Sequence, residues 1–419
     1  MTTITLPIDP KHFWAIVALA GFVLAVAVVY ATMPRTEGKH TDPLDRLKDI
    51  LGLGQFGDGL FLLLALMWSG LFLALFTGLL LMLWELIWFV VPQNPLAEAS
   101  ARFALLRLAA MTATLGAVVA LPFTLIRIRL TREANKTADE SLFNDKINAA
   151  TEDLHAMRQR WDEEQKQNIW EDDITRRNAA IDRLEGLVKE RPETAPRVSR
   201  LLSVYVRELS REVPAEIPPE EPTPNELHRW LFGLTVKRSD MENAVQVLGR
   251  MKQIGNVDAD SITIDLRRAN LQAFDLKDLD LNKSLLSFAQ LHAAKLIRVN
   301  LQKADLFNAD MQGADLFHVQ MQGADLSCSK MQAADLSGAI FSSALLSTVD
   351  LSTVAIAHNQ YTSGFGCTDT VLPDGLGANS PHWPTHWPKL DMEFEDVHEQ
   401  WKRWQADPDN YTPPTAPDE

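Results

Sequence analysis

The sequence predicts a multidomain membrane protein, in which three transmembrane α-helices precede a cytoplasmic α-helical module and a stacked β-solenoid. Two observations lead to this prediction. Nearly all long apolar runs of the 419 residues lie before residue 130, whereas the remainder is polar and acidic. From Leu266 to Ile356, a large apolar residue also recurs at every fifth position without an insertion. The first pattern is typical of helices in lipid, and the second has the period of neither a helix nor a strand.

Three apolar stretches are long enough to cross a bilayer, which takes about 20 helical residues. We expect transmembrane helices at about 13–33, 60–91 and 103–126, within a membrane domain of residues 1–130. The first run exceeds the apolar core of a usual signal peptide, and only Lys11 provides a positive charge in front of it. We therefore expect this run to remain in the protein as a span.

Basic residues near the spans predict their orientation. Four lie between residues 35 and 48, and four lie between residues 127 and 136, whereas the connection between the last two spans has only Arg102. Lys and Arg are enriched on the cytoplasmic side of membrane proteins. The N-terminus is therefore expected outside, and the domains after residue 130 are expected in the cytoplasm.

Polar and small residues inside the expected spans suggest how these helices pack. Glu85 and Arg107 lie about equally far from the second connection, so antiparallel helices would bring them to a similar depth. A charge in lipid is costly, and we expect a structural ion pair, with an ion or proton path as the alternative. Gly70, Ala74 and Gly78 form a face for close packing within the bundle or between subunits.

Residues 131–256 are predicted to form the helical module. From Phe143 to Trp161, apolar residues alternate at spacings of four and three, through Ile147, Ala150, Leu154 and Met157. This seam predicts a helix packed on neighbouring helices or, as the alternative, a coiled-coil dimer.

The rest of this module is predicted from three shorter signals. The segments AAIDRLEGLVKE and VSRLLSVYVREL, joined by RPETAPR, predict a helical hairpin. The Pro/Glu run at 213–226 predicts an exposed acidic linker. Ser239 and Glu242 match a capping box at the start of a further helix.

The five-residue units place a small residue two positions before each large one. Residues two apart in an extended chain point to the same side, so both should point inward while the polar residues between units turn a corner. A repeated strand and corner winds into a solenoid whose coils stack through backbone hydrogen bonds. The clearest core positions are Leu306, Met311, Leu316, Met321, Leu326, Met331 and Leu336, with Ala304, Ala309, Ala314, Ala324 and Ala334.

The units KADLF, NADMQ, GADLF, GADLS and AADLS resemble the pentapeptide-repeat family, whose units read A-(D/N)-L-x-x. The resemblance covers about residues 262–358 and implies a right-handed quadrilateral β-helix, for which we assign a domain at 257–358. The chain has three spans, a basic exit, helices and then repeats. This order is similar to that of membrane-anchored bacterial pentapeptide-repeat proteins. The resemblance therefore implies a bacterial inner membrane.

Residues 359–419 form a Trp-rich tail. Because an open solenoid end exposes strand edges and core, we expect the tail to cap it, with a short helix near 393–405 folding back over the final coil. Trp401 and Trp404 would supply the apolar contact. A tail that docks a partner protein is the alternative.

The functional prediction is a non-enzymatic, membrane-tethered scaffold for protein partners. The chain contains no recognisable nucleotide-binding, nucleophile or metal-ligand motif, so no cofactor or metal is expected. The net charge of −15 argues against nucleic-acid binding. The outward residues Phe307, Phe317 and His318 are the candidate partner surface. Alternatives are a DNA-mimic topoisomerase-interacting protein and transport or sensing through the bundle; homo-oligomerisation stays open.

Overall fold

The computed structural model describes residues 48, 51, 53, 58–87, 95–220 and 222–414. It divides into two compact units, Met1–Phe143 and Asn144–Glu419. The expected first span at 13–33 lies outside the described residues.

Two long helices dominate the described part of the first unit. Helix α1 spans Asp58–Ile87, and helix α2 spans Pro95–Asp153. They contain stretches long and apolar enough to cross a membrane, at Leu63–Trp84 and Arg102–Asp153, and the 18-residue apolar window in each is not buried inside the protein. The hydroxyl of Thr124 donates to the carbonyl of Ala120 one turn earlier, which satisfies this polar group within an apolar helix.

Gly78 marks a close approach between α1 and α2. A Cβ atom at this position would lie 2.9 Å from Cε of Met111. The missing Cβ at Gly78 therefore permits close packing within the bundle, one of the two uses predicted for the Gly70, Ala74 and Gly78 face.

The seam predicted as a single helix from Phe143 to Trp161 is only partly helical. Ile147 and Ala150 are buried within α2, but α2 ends at Asp153. Met157 and Trp161 lie in strand β1 (Met157–Asp162), which pairs antiparallel with β2 (Gln167–Asp172). The helical prediction is therefore wrong for the end of the seam.

A tight turn explains this hairpin. The carboxylate of Asp162 accepts hydrogen bonds from the backbone N–H groups of Glu164 and Gln165, and Lys166 has a φ of 48°. An aspartate that bonds to the next backbone groups offers the chain an alternative to helix. Both Arg158 and Arg160 then form ion pairs with Glu171 on the opposite strand.

Four helices follow the hairpin. They are α3 (Ile174–Glu190), α4 (Ala195–Glu212), α5 (Pro224–Gly233) and α6 (Ser239–Met251). The predicted helical hairpin is confirmed as α3 and α4, joined through a 3₁₀ turn at Pro192–Thr194. Helices α3, α4 and α6 share a core that contains Ile181, Leu184, Leu202, Met241 and Leu248.

The predicted capping box at Ser239 and Glu242 is wrong. Helix α6 has Arg238 at its N-cap position without a side-chain cap. The Glu242 carboxylate instead accepts a hydrogen bond of 2.7 Å from the backbone N–H of Asp275 in the solenoid. Glu242 thus bonds to a distant part of the chain and not to the first turn of its own helix.

The five-residue units form coils of twenty residues. Each coil pairs with the next through parallel bridges, as in Asp265 with Leu285 and Asp325 with Leu345. Because four units complete one coil, the solenoid has four sides. Pairing continues past the expected end at residue 358, to Phe365 and Val371.

Every corner from residue 268 to residue 348 has its third residue in the left-handed region. A backbone hydrogen bond closes the turn, as from the N–H of Ala269 to the carbonyl of Leu266 at 3.0 Å. Glycine occupies three of these corners, at Gly313, Gly323 and Gly338. The others accept residues as large as Phe288 and His318, so the repeated tight turn does not by itself require glycine.

The expected linker at 213–226 is partly docked on the solenoid. The amide of Gln272 bonds to both the N–H and the carbonyl of Glu216, at 2.8 and 2.7 Å. The Asn270 amide donates to the carbonyl of Val213. Helix α5 begins within the expected linker, at Pro224. Two short helices complete the fold, α7 (His358–Tyr361) and α8 (Phe394–Ala406).

Candidate interaction surface

The twelve predicted core side chains all lie in the solenoid interior. Each of them is at most 5% exposed. Alternating large and small residues fill the narrow interior of each coil, so the inward positions leave no surface for a ligand or a partner.

The repeated aspartates serve the corners. The carboxylates of Asp305, Asp315 and Asp335 each accept a hydrogen bond from the backbone N–H two residues later, at 3.1, 3.3 and 2.9 Å. This Asx-type bond ties each aspartate to the backbone of its own corner. Their role in the turn reduces their weight as a recognition surface.

Helices α4 and α6 close the N-terminal end of the solenoid. The first coil has no preceding coil to accept its backbone N–H groups. Ser203 and Ser210 accept bonds from Asp265 and Asn270, at 3.2 and 3.0 Å, and Glu242 accepts from Asp275. These side chains stand in for a missing strand, so this edge is not available for pairing with another chain.

Tryptophans close the C-terminal end. Trp387 is 1% exposed, and its indole N–H donates to the carbonyl of Gly364 at 2.9 Å. A Cβ atom at Gly366 would lie 2.4 Å from the Trp387 ring. Trp383 in turn donates to the carbonyl of Trp387. The tail therefore packs on the last coil.

Helix α8 lies along one side of the solenoid, across several coils. Phe394 contacts Phe307, and one turn later His398 bonds to Asp325. Further along, Trp401 donates to the carbonyl of Ser343 at 2.9 Å. The expectation that this helix folds over the final coil is thus corrected, because its apolar face follows a column of side chains that includes Leu345 and Phe365.

An ion pair ties α8 to this side. His398 Nε2 lies 2.8 Å from a carboxylate oxygen of Asp325. The hydrogen bond to Asp325 raises the pKa of His398 above its ordinary value of 6.5. Burial acts to raise the pKa of Asp325, but the bonds from His398 and Ser327 outweigh it and lower that pKa.

Phe307 belongs to the contact with α8. Its ring lies between those of Phe288 and Phe394, with centroids 5.5 and 5.3 Å away. The prediction of Phe307 as a free outward residue is corrected, because the tail packs on it.

Helix α5 covers another part of the solenoid. A Cβ atom at Gly313 would lie 2.5 Å from the Leu231 side chain, and Trp230 contacts the buried ring of His292. One corner of the coils is thereby occupied by the chain itself.

The remaining predicted surface residues, Phe317 and His318, lie at a corner that no described part of the chain covers. Their rings contact each other with centroids 4.2 Å apart, and His318 lies over Gly338 in the next coil. Ile340 lies on the adjoining side. Phe317 and Ile340 are 39% and 42% exposed. We call Phe317, His318 and Ile340 the open edge.

A buried charge network in the helical module was not predicted. Arg238 pairs with Asp172 and Asp240, both at 2.6 Å, and the Tyr205 hydroxyl donates to Asp240. Burial acts to raise the pKa of Asp240, whereas the bonds from Arg238 and Tyr205 lower it below its ordinary value. Arg177 also pairs with Asp172. The network joins the hairpin, α3, α4 and α6. Its links from Arg238 to Asp172 and from Tyr205 to Asp240 span 66 and 35 residues, so no local pattern shows them.

The pair expected between Glu85 and Arg107 stays a prediction. Glu85 lies in α1, but its side chain is outside the described residues. Arg107 is exposed on α2.

A solenoid with four-sided, twenty-residue coils defines a class of repeat proteins, and comparison gives the family. The pentapeptide-repeat model matches in eight copies, at residues 264–302, 284–321 and 314–352. The chain belongs to the pentapeptide-repeat family, and its coils form a right-handed quadrilateral β-helix. Such repeats are modules of the protein-interaction type.

Among solved structures, the pentapeptide repeat protein alr5209 from Nostoc PCC 7120 is 36% identical, over 22% of this chain and 72% of its own, with a TM-score of 0.20. HetL from Nostoc sp. strain PCC 7120, involved in heterocyst differentiation regulation, is 20% identical over 28% of this chain and 76% of its own, with a TM-score of 0.18. QnrB1, a plasmid-mediated fluoroquinolone resistance protein, is 16% identical over 34% of this chain and 85% of its own, with a TM-score of 0.16. No curated protein matches the chain.

Proposed function

We propose that the protein is a non-enzymatic scaffold that holds partner proteins at the cytoplasmic face of a bacterial inner membrane. Three transmembrane helices tether it, with the N-terminus outside. The β-helix binds the partner through the open edge.

The uncovered position of the open edge carries this proposal. Both ends of the β-helix are closed by the chain itself, α8 lies along one side, and α5 lies on another corner. Phe317 and Ile340 nevertheless leave large apolar side chains in solvent on a rigid support. An aromatic and aliphatic cluster of this kind supplies the anchors that dominate protein interfaces.

Support for the tether comes from α1 and α2. Each contains an apolar stretch long enough to cross a bilayer, and large apolar side chains such as Met67 and Phe103 are 66% and 77% exposed. A helix that is apolar on its outer surface suits lipid better than water.

Affinity capture with matched variants tests the proposal. Full-length protein is solubilised in detergent as wild type, as Phe317→Ser/Ile340→Ser, and as Phe232→Ser. Phe232 is a control because it is a large apolar residue, 77% exposed, that belongs to α5 and not to the open edge. We expect a protein that is retained by wild type and the control and lost from the double variant. An identical set of captured proteins in all three would contradict the assignment of the open edge.

A further inference from the structure

Helix α4 turns one stripe of side chains to solvent. Arg197, Arg200, Val204, Glu208 and Glu212 follow one another at spacings of three or four, and all five are exposed. Since such residues lie on one helix face, they form a continuous surface. Its charge is ordered, with two arginines at the N-terminal end and two glutamates at the C-terminal end. We call these five residues the α4 stripe.

A groove runs beside the α4 stripe. Its volume is about 790 Å³, and apolar side chains of Leu154, Met157, Leu201 and Val204 line it. Three polar residues of its lining belong to the charge network, since the Tyr205 hydroxyl donates to Asp240 and Arg177 pairs with Asp172. The groove therefore offers apolar contact, and the arginines and glutamates of the α4 stripe complete its lining.

The β-hairpin extends this apolar surface. In the antiparallel register, Met157 and Trp161 on β1 share a face with Trp170 on β2. These three side chains are 47%, 52% and 63% exposed. Met and Trp are enriched at the centres of protein interfaces.

We propose that the α4 stripe and its groove are the contact between two copies of this chain, related by a two-fold axis near Val204. Two antiparallel α4 helices would place Arg200 of one copy near Glu208 of the other and Arg197 near Glu212. Each pair would form twice, as a two-fold interface requires. Val204 would meet its own equivalent at the centre, beside the groove.

The order of charges argues for a second copy over an unrelated helix. The surface is complementary to itself when reversed, whereas a parallel arrangement would place like charges together. Local pairs do not remove this complementarity: Glu208 also contacts Arg211, and Arg197 contacts Asn144, but both contacts are exposed and therefore weak. The inference is independent of the open edge and of the proposed scaffold function.

Cross-linking of the full-length protein in detergent tests the geometry. Cys328→Ser/Cys367→Ala provides a background without native thiols. In that background, Val204→Cys should give a covalent dimer with a short bismaleimide. The matched control, Phe232→Cys on α5, should remain monomeric. Equal cross-linking of both variants, or a Val204→Cys adduct with a different protein in native membranes, would overturn the proposal.

Charge exchange tests the register without relying on a cysteine. Arg200→Glu should raise the dimer dissociation constant by about tenfold or more, because like charges then face each other. Arg200→Glu/Glu208→Arg should restore dimerisation to within about threefold of wild type, since both pairs are re-formed with reversed sign. Light scattering measures the mass of each variant. A wild-type monomer, or a double variant that dissociates as readily as the single one, would refute the two-fold contact.

Discussion

The hydroxyl oxygen of Ser210 accepts a hydrogen bond from the backbone N–H of Asn270, at 3.0 Å. Ser210 is a buried residue of α4, and Asn270 lies in the first coil of the β-helix. The serine thus takes the position of a carbonyl group from a coil that does not exist. Helix and solenoid form a single structure at this point, although the sequence suggested two separate modules.

Removal of this acceptor should destabilise the N-terminal end of the solenoid. We expect Ser210→Ala to reduce the free energy of unfolding by about 1–3 kcal/mol, because it leaves the N–H of Asn270 buried without a partner. Ser342→Ala is the matched control, since Ser342 is an exposed residue of the same repeat array. Thermal unfolding followed by circular dichroism measures both. Equal midpoints for the two variants would show that the helix contributes no cap.

A substitution at Gly313 should displace α5. Alanine already occupies equivalent corners at Ala273 and Ala333, so positive φ alone does not require glycine here. The Leu231 side chain requires glycine at this position, because it lies 2.5 Å from where the new Cβ would be. Gly313→Ala should therefore destabilise the protein by about 1–3 kcal/mol beyond any backbone strain.

Gly375→Ala separates the two effects. Gly375 also has a positive φ, but no atom lies within 4 Å of its Cβ position. Its substitution should cost about 1 kcal/mol from backbone strain alone. In a Gly313→Ala/Leu231→Ala double variant, most of the loss of stability that Gly313→Ala causes beyond backbone strain should disappear. If both glycine variants unfold at the same temperature, the packing account of Gly313 is wrong.

The attachment of α8 should depend on pH through His398 and Asp325. The raised pKa of His398 means that its contribution is complete below pH 6.5 and is lost as the pH rises through the folded-state value. The lowered pKa of Asp325 means that its contribution is present above pH 3.8 and is lost as the pH falls through its folded-state value. The ion pair should therefore stabilise the docked helix most between these two values.

Comparison with His398→Phe isolates this effect. Phenylalanine retains a ring beside Phe394 and Trp401 but cannot titrate. The wild type should lose more thermal stability than the variant when the pH is raised from about 6 to about 8.5. Parallel pH profiles for the two proteins would exclude the ion pair as the cause.

The five-residue period predicted the β-helix and its core because each unit repeats the same burial and the same corner. The side chains that close the first coil could not be predicted from the sequence, since an isolated serine such as Ser203 belongs to no repeated pattern. The path of α8 depends on pairing between Trp401 and a distant corner at Ser343. Such contacts join residues that are far apart in the sequence, and only the folded chain brings them together.

The prediction at Trp161 failed for a related reason. A spacing of four and three describes one helix face, but Met157 and Trp161 also fit one face of a strand. The turn at Asp162 decided between the two. Phe307 was assigned to a free surface because its position in the repeat is outward, whereas the tail that covers it lies almost 90 residues further along the chain.

Topoisomerase inhibition by DNA mimicry is not expected. The β-helix has 12 Asp and 8 Lys or Arg between residues 257 and 356, and several of these carboxylates are paired. Asp278 binds Arg298 at 2.6 Å, and Asp265 binds Arg267 at 2.8 Å. The full-length protein in detergent should leave gyrase supercoiling unchanged at concentrations where a known inhibitor acts. Dose-dependent inhibition would favour the mimic over the scaffold.

The most direct measurement of the scaffold account is the distribution of the captured partner between membrane and soluble fractions. In cells with the wild-type protein or the Phe232→Ser control, the account predicts that the partner sediments with the membrane. In cells with Phe317→Ser/Ile340→Ser at equal abundance, it predicts that the partner moves to the soluble fraction. A partner that stays equally on the membrane in all three strains would contradict the central claim.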